Sequence, residues 1–145
     1  MSRDATGRRD RLPLYALAAH AAGDWPLQSD QMATEKFDDP KTRAKHIGVY
    51  TLSFLPVAMA SDWDSRGKAV FLLTIAGTHF AIDTRRWVEN YEAFPTRALW
   101  FDQAFHLIAI AVAFALADRR RSADTIVEGT DPHQTCPRCG YDEGE

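Results

Sequence analysis

The chain has 145 residues, with 17 Lys and Arg against 20 Asp and Glu, and a formal net charge of −3. That length suits a single domain with one helical core, and the near-neutral balance, with arginines dispersed at the ends of apolar segments, excludes the basic stripe of a nucleic-acid binder. The mean hydropathy of −0.32 averages over apolar blocks that alternate with strongly charged connectors.

Arg3, Arg8, Arg9 and Arg11 lead into the first apolar block, Leu12–Leu27. This block carries His20 and Asp24 and lacks a processing site, so no cleavable leader is expected. Pro13 suits a first turn, and Pro26 predicts a stop or kink near Asp24, because it cannot donate to the Ala22 carbonyl. The connector 28–45 is polar, turns at Asp38-Asp39-Pro40, and has a short amphipathic turn around Met32–Phe37. A second helix is expected over His46–Ala60, with Pro56 freeing the Leu52 carbonyl. A third covers Ala69–Asp83, where Gly77 and Ala81 have the small-residue spacing that admits a neighbouring backbone.

Arg85 and Arg86 end the third helix, and Trp87, Tyr91 and Phe94 follow in a connector of interfacial or core-packing character. Ala98–Ala117 is the fourth helix and the one block with a full spanning length of about 20 residues. Arg119-Arg120-Arg121 is expected to stop it, leaving a polar tail. The other blocks have shorter apolar runs and read as spans lengthened by inward-facing polar groups, with a soluble bundle as the alternative. The expected fold is therefore all-α, a four-helix transmembrane bundle with a polar His/Asp layer near one membrane face. Its divisions are a polar segment 1–11, a membrane domain 12–117 and a tail 118–145. Trp25 and Trp100 read as interface anchors.

The layer comes from spacing. His20 with Asp24 and Gln28, His46 with Tyr50, His79 with Asp83, and Asp102 with His106 each fall on one helix face, since residues four apart are neighbours. In an up-and-down bundle these pairs close the first and third helices and open the second and fourth, so all meet at one end. His20, Asp24, His46, His79, Asp83, Asp102 and His106 are the candidate metal ligands. Asp24, Asp83 and Asp102 are also candidate bases, with Gln28 and Gln103 as water or substrate positioners. Imidazole with carboxylate suits zinc, manganese or iron, and an ion with an open position activates water. A metal-free interhelical hydrogen-bond network and a proton or ion path stay open as alternatives; Tyr50 on its own reads as core.

In the tail, His133-x-x-Cys136-x-x-Cys139 has the spacing of three zinc ligands, with Gly140 permitting the turn. A thiol pair in a disordered tail is the competing reading. No phosphate-cradling glycine loop or nucleophile elbow occurs, so covalent serine catalysis is not expected.

The runs H-A-A-G-D-W-P-L-Q (His20–Gln28), D-Q-M-A-T-E-K, R-A-K-H-I-G-V-Y-T, T-H-F-A-I-D and F-D-Q-A-F-H-L occur in an order that resembles the domain of unknown function 3307 family of small polytopic prokaryotic membrane proteins. The resemblance covers Leu12 to Ala117 and implies a helical membrane domain, without supplying a reaction. Together these readings predict a multi-pass cell-membrane protein, its partner the lipid bilayer, its oligomeric state open to self-association. The expected activity is metal-dependent and hydrolase-like; the alternative is a non-enzymatic membrane scaffold whose polar layer fixes helix packing. With both termini cytoplasmic, the inner segments hold ten Lys and Arg residues against seven outside, the sign the positive-inside rule requires.

Overall fold

The computed structural model describes residues 10–84 and 97–128, the side chains of 97, 98 and 120–128 excepted. All regular structure among them is helical: α1 Leu12–Asp24, α2 Asp30–Glu35, α3 Pro40–Ser53, α4 Leu55–Ala60, α5 Ser65–Ile82 and α6 Arg97–Glu128.

Local chemistry explains most boundaries. Pro13 occupies the first turn of α1, where a missing N–H costs nothing. At the other end, the Leu27 amide donates to the Ala22 carbonyl at 3.0 Å, wrapping around Pro26 and ending the helix. Ser29 caps α2 by accepting from the Met32 amide at 3.2 Å. Asp39 caps α3 by accepting from the amides of Lys41 at 3.1 Å and Thr42 at 2.9 Å, with Pro40 next in line, so the helix starts before His46 instead of at it. The expected second helix is broken at Phe54: its amide turns back to Thr51 at 3.1 Å, and the ladder resumes with Ala58 donating to Phe54 at 3.1 Å. Pro56 is the cause, since it supplies no amide there.

Asp64 starts α5 by accepting from the Gly67 amide at 2.7 Å, four residues ahead of the expected Ala69. Helix α6 runs through Arg119–Arg121 to Glu128 instead of stopping at Ala117. Arginine is a good helix former; a charge cluster ends an apolar span, not a helix. The connector with Arg85, Arg86, Trp87, Tyr91 and Phe94 lies outside the described residues, as does the tail from residue 129.

Helices α1, α3 with α4, α5 and α6 pack around a two-tiered core, with the α5–α6 pair the most extensive contact. One tier is apolar. Phe71 meets Trp63 at 5.0 Å, Phe114 at 5.1 Å and Phe54 at 6.1 Å between ring centroids, and the Trp63 indole donates to Asp118 at 2.8 Å. Tyr50 joins the tiers, 5.1 Å from Phe54 on one side and stacked at 3.6 Å on His79 on the other. Beyond it the core turns polar.

Close backbone approach occurs at Gly23, not at Gly77. A Cβ on Gly23 would lie 2.7 Å from the Tyr50 ring and 2.9 Å from the Ser53 hydroxyl, whereas one on Gly77 would meet nothing within 4 Å. The Ser53 hydroxyl reaches across this contact to the Ala19 carbonyl at 2.8 Å, so α1 and α3 are joined where glycine removes the side chain.

Only the segment Leu99–Arg119 of α6 is long and apolar enough to cross a membrane, among the described residues.

Candidate metal centre

The polar tier gathers side chains from every long helix. His20 and Asp24 come from the last turn and a half of α1, His46 and Tyr50 from α3, and His79 from the end of α5, with Asp83 at its C-cap. Asp102 and His106 come from the start of α6. All eight are buried, His46 completely and His79, Asp83 and Tyr50 to within 1%. The i, i+4 spacing does what helical geometry requires, turning each pair inward from its own helix.

At the centre the Nε2 atoms of His46 and His79 each meet one oxygen of Asp24 and one of Asp83. His46 Nε2 and His79 Nε2 are 2.9 Å apart. Asp24 Oδ1 stands 3.3 Å from His46 Nε2 and 3.4 Å from His79 Nε2. Asp83 Oδ2 stands 3.5 Å and 3.4 Å from the same two nitrogens. A tetrahedral ion with bonds of about 2.0–2.1 Å holds its ligands about 3.3–3.4 Å apart, and the four imidazole–carboxylate separations match that spacing. Neither carboxylate oxygen accepts a hydrogen bond among the described residues, although both are buried. A desolvated carboxylate oxygen without a hydrogen-bond donor is costly; the Lys36 ammonium at 3.4 and 3.6 Å offsets part of that cost, and a divalent cation beside both oxygens would offset more of it.

His106 supplies a fifth donor of the right form. Its Nδ1 donates to the Asp102 carbonyl at 2.8 Å, which leaves the lone pair on Nε2, and that atom is buried without a hydrogen-bond partner. A tautomer fixed from behind by a carbonyl is how ligating histidines are held. Two overlapping sets, Asp24 with His79 and His106, and His46 with His79 and Asp83, bring one ligand atom per residue within 4.8 Å of each other.

His20 is placed differently. Its Nδ1 lies 2.9 Å from the Tyr50 hydroxyl and its Nε2 3.1 Å from Gln103 Oε1. The Gln103 amide also donates from Nε2 to Asp102 Oδ2 at 3.2 Å. A carboxylate only accepts, so Gln103 must present its oxygen to His20. His20 therefore carries its proton on Nε2 and accepts from Tyr50 on Nδ1. With both nitrogens engaged, His20 acts through Tyr50 and Gln103 and offers no free lone pair to an ion. Gln103 orients His20 and Asp102. Gln28 instead donates to the Asp24 main-chain carbonyl at the end of α1, which puts it at the rim. Tyr50, read from sequence as core, belongs to both tiers.

Spacing did not disclose Lys36. It lies at the C-cap of α2 and is buried to 6% exposure. Its ammonium is 3.1 Å from His46 Nε2, 3.4 Å from Asp83 Oδ2 and 3.6 Å from Asp24 Oδ1. Arg43 holds it there, donating from Nε to the Lys36 carbonyl at 2.8 Å and from its terminal nitrogen to the Phe37 carbonyl at 2.5 Å. The guanidinium also lies over the Phe80 ring at 5.4 Å. The D-Q-M-A-T-E-K run ends on this lysine, but one cation in a polar connector carries no periodic signal. His133, Cys136 and Cys139 lie outside the described residues.

An all-helical protein with a buried His/Asp centre is the class that fold and site define. The profile of the family described as protein of unknown function, DUF3307, matches residues 12–129, and the chain belongs to that family. The match extends past the Ala117 limit of the sequence resemblance to the end of α6. No curated protein and no solved structure matches the chain.

Proposed function

We propose that this DUF3307 protein is a membrane-embedded metalloprotein in which Asp24, His46, His79 and Asp83 hold a divalent transition ion, with His106 beside them and hydrolysis as the reaction class. The observation that carries the proposal is the pair of buried carboxylate oxygens, Asp24 Oδ1 and Asp83 Oδ2, without hydrogen-bond donors and 3.3–3.5 Å from the same two imidazole nitrogens. Two nitrogens and two oxygens suit zinc first, with manganese and iron behind it. Bound there, the ion would supply a Lewis acid, and it would activate a water where one of the two carboxylates gives up its place or the coordination expands to five. Asp102, buried beside His106 and held by Gln103, is the further carboxylate that would take a proton.

The distribution of apolar side chains supports the bilayer. Leu14, Leu52, Met59, Leu73, Trp100 and Ile108 are each more than half exposed while the polar tier is buried. Large apolar side chains exposed on five helices at once suit a lipid surround, where they cost nothing, better than water. The reading is of a four-helix transmembrane bundle with the centre near one face and both termini cytoplasmic. The zinc knuckle at His133, Cys136 and Cys139 would then lie in a reducing compartment.

A second reading keeps the same geometry without an ion: the layer is a hydrogen-bonded scaffold that fixes helix packing, and Lys36 supplies its counter-charge. Chelation separates the two. Detergent-purified protein treated with a strong chelator should melt at a lower temperature and recover on addition of zinc, and any hydrolysis of a panel of chromogenic esters should be lost and regained in step. A scaffold would melt at the same temperature before and after.

A further inference from the structure

We infer that Lys36 is the cation of the ion-free centre and that a divalent ion binds by displacing its ammonium. The inference rests on the metal reading above and adds a residue that decides affinity and charge selectivity.

The ammonium does not sit at the edge of the cluster. It contacts three of the four atoms that would hold the ion, at 3.1 Å, 3.4 Å and 3.6 Å. Ligand atoms around one small ion are themselves about 3.3–3.4 Å apart, so Lys36 Nζ occupies the same shell. An ammonium left there would face a dication across a few ångströms of buried, weakly screening protein, where like charges repel strongly. Both cannot stay in place. The two carboxylates facing Lys36 carry one negative charge more than the ammonium neutralises, and a dication neutralises both. Exchange is thus favourable for a divalent ion and gains nothing for a monovalent one.

The backbone of Lys36 is pinned by Arg43 through the carbonyls of residues 36 and 37. Its side chain is a flexible four-carbon stem. Displacement therefore moves the stem away from the ion and leaves α2 where it is. The lysine sets a threshold: the site is half neutralised when empty and opens only to an ion of higher charge.

The test uses the full chain in detergent carrying Cys136→Ser and Cys139→Ser, with and without Lys36→Met, and reads zinc affinity by competition with a chromophoric chelator. Lys36→Met should tighten zinc binding by about tenfold or more, and its metal-free form should melt lower than the parent, because two buried carboxylates lose their counter-charge. Adding Asp83→Asn to Lys36→Met should raise that metal-free melting temperature again, which a packing defect alone would not do. Zinc affinity unchanged or weakened in Lys36→Met, with zinc still bound by the parent, overturns the inference and leaves the metal reading standing; weakened affinity would make the lysine a ligand. Uptake of zinc by neither chain overturns both.

Discussion

At Gly23 the backbone of α1 comes too close to α3 to admit a side chain, and the consequence can be measured. An added methyl would press on Tyr50 Cα at 3.2 Å as well as on its ring, and Tyr50 cannot retreat, because it is stacked on His79 and bonded to His20. Gly23→Ala should destabilise the fold by about 1–3 kcal/mol, read as a drop in melting temperature, whereas Gly77→Ala should leave it unchanged or slightly higher. Equal effects at the two glycines would contradict the packing described. Residue-level legibility follows the same division. The His/Asp quartet could be read because i, i+4 spacing survives any detail of packing. The approach at Gly23 and the insertion of Lys36 depend on which surfaces meet, and no local periodicity records that.

At the scale of elements, the caps and prolines decided where helices begin, and the departures from expectation have one origin. Asp39 and Asp64 start their helices in segments read as polar connector, because a cap followed by a helix-compatible turn needs no apolar residue. The Thr42 hydroxyl, at 2.6 Å, and the amides of Thr42 and Lys41 hold the Asp39 carboxyl below the usual carboxylate range. A carboxyl whose folded pKa is depressed contributes stability above its unfolded pKa of about 4, and that contribution fades as pH falls through the lower folded value. Melting temperature should therefore lose a step on the acid side of about pH 4 that Asp39→Ala lacks, since the variant has already lost the cap at neutral pH. Parallel pH profiles would exclude Asp39 as a working cap. The break at Phe54 was foreseeable only in part: Pro56 announced a freed carbonyl, but not that α3 and α4 would still pack as one column.

For the whole molecule, the strongest sequence inference was the convergence of four helix ends, and it followed from alternation of helix direction. What composition could not give was the outside. Among the described residues only α6 has spanning length and hydropathy, yet exposed leucine, methionine and tryptophan are spread over α1, α3, α4, α5 and α6. Extraction of membranes at alkaline pH should leave the protein in the pellet. Release into the supernatant would mean that this apolar surface is covered by something other than lipid.

The ion content tests the metal centre most directly. Element-resolved metal content should be determined on detergent-purified chain carrying Cys136→Ser and Cys139→Ser, so that the tail contributes nothing, alongside the same chain with His79→Ala. About one divalent transition ion per chain is expected in the first, and most of it should be gone in the second, because His79 Nε2 touches both carboxylate oxygens of the centre. A parent chain without stoichiometric metal, and with unchanged melting temperature when His46 or His79 is replaced by alanine, would contradict the metal centre and make the polar tier a packing device.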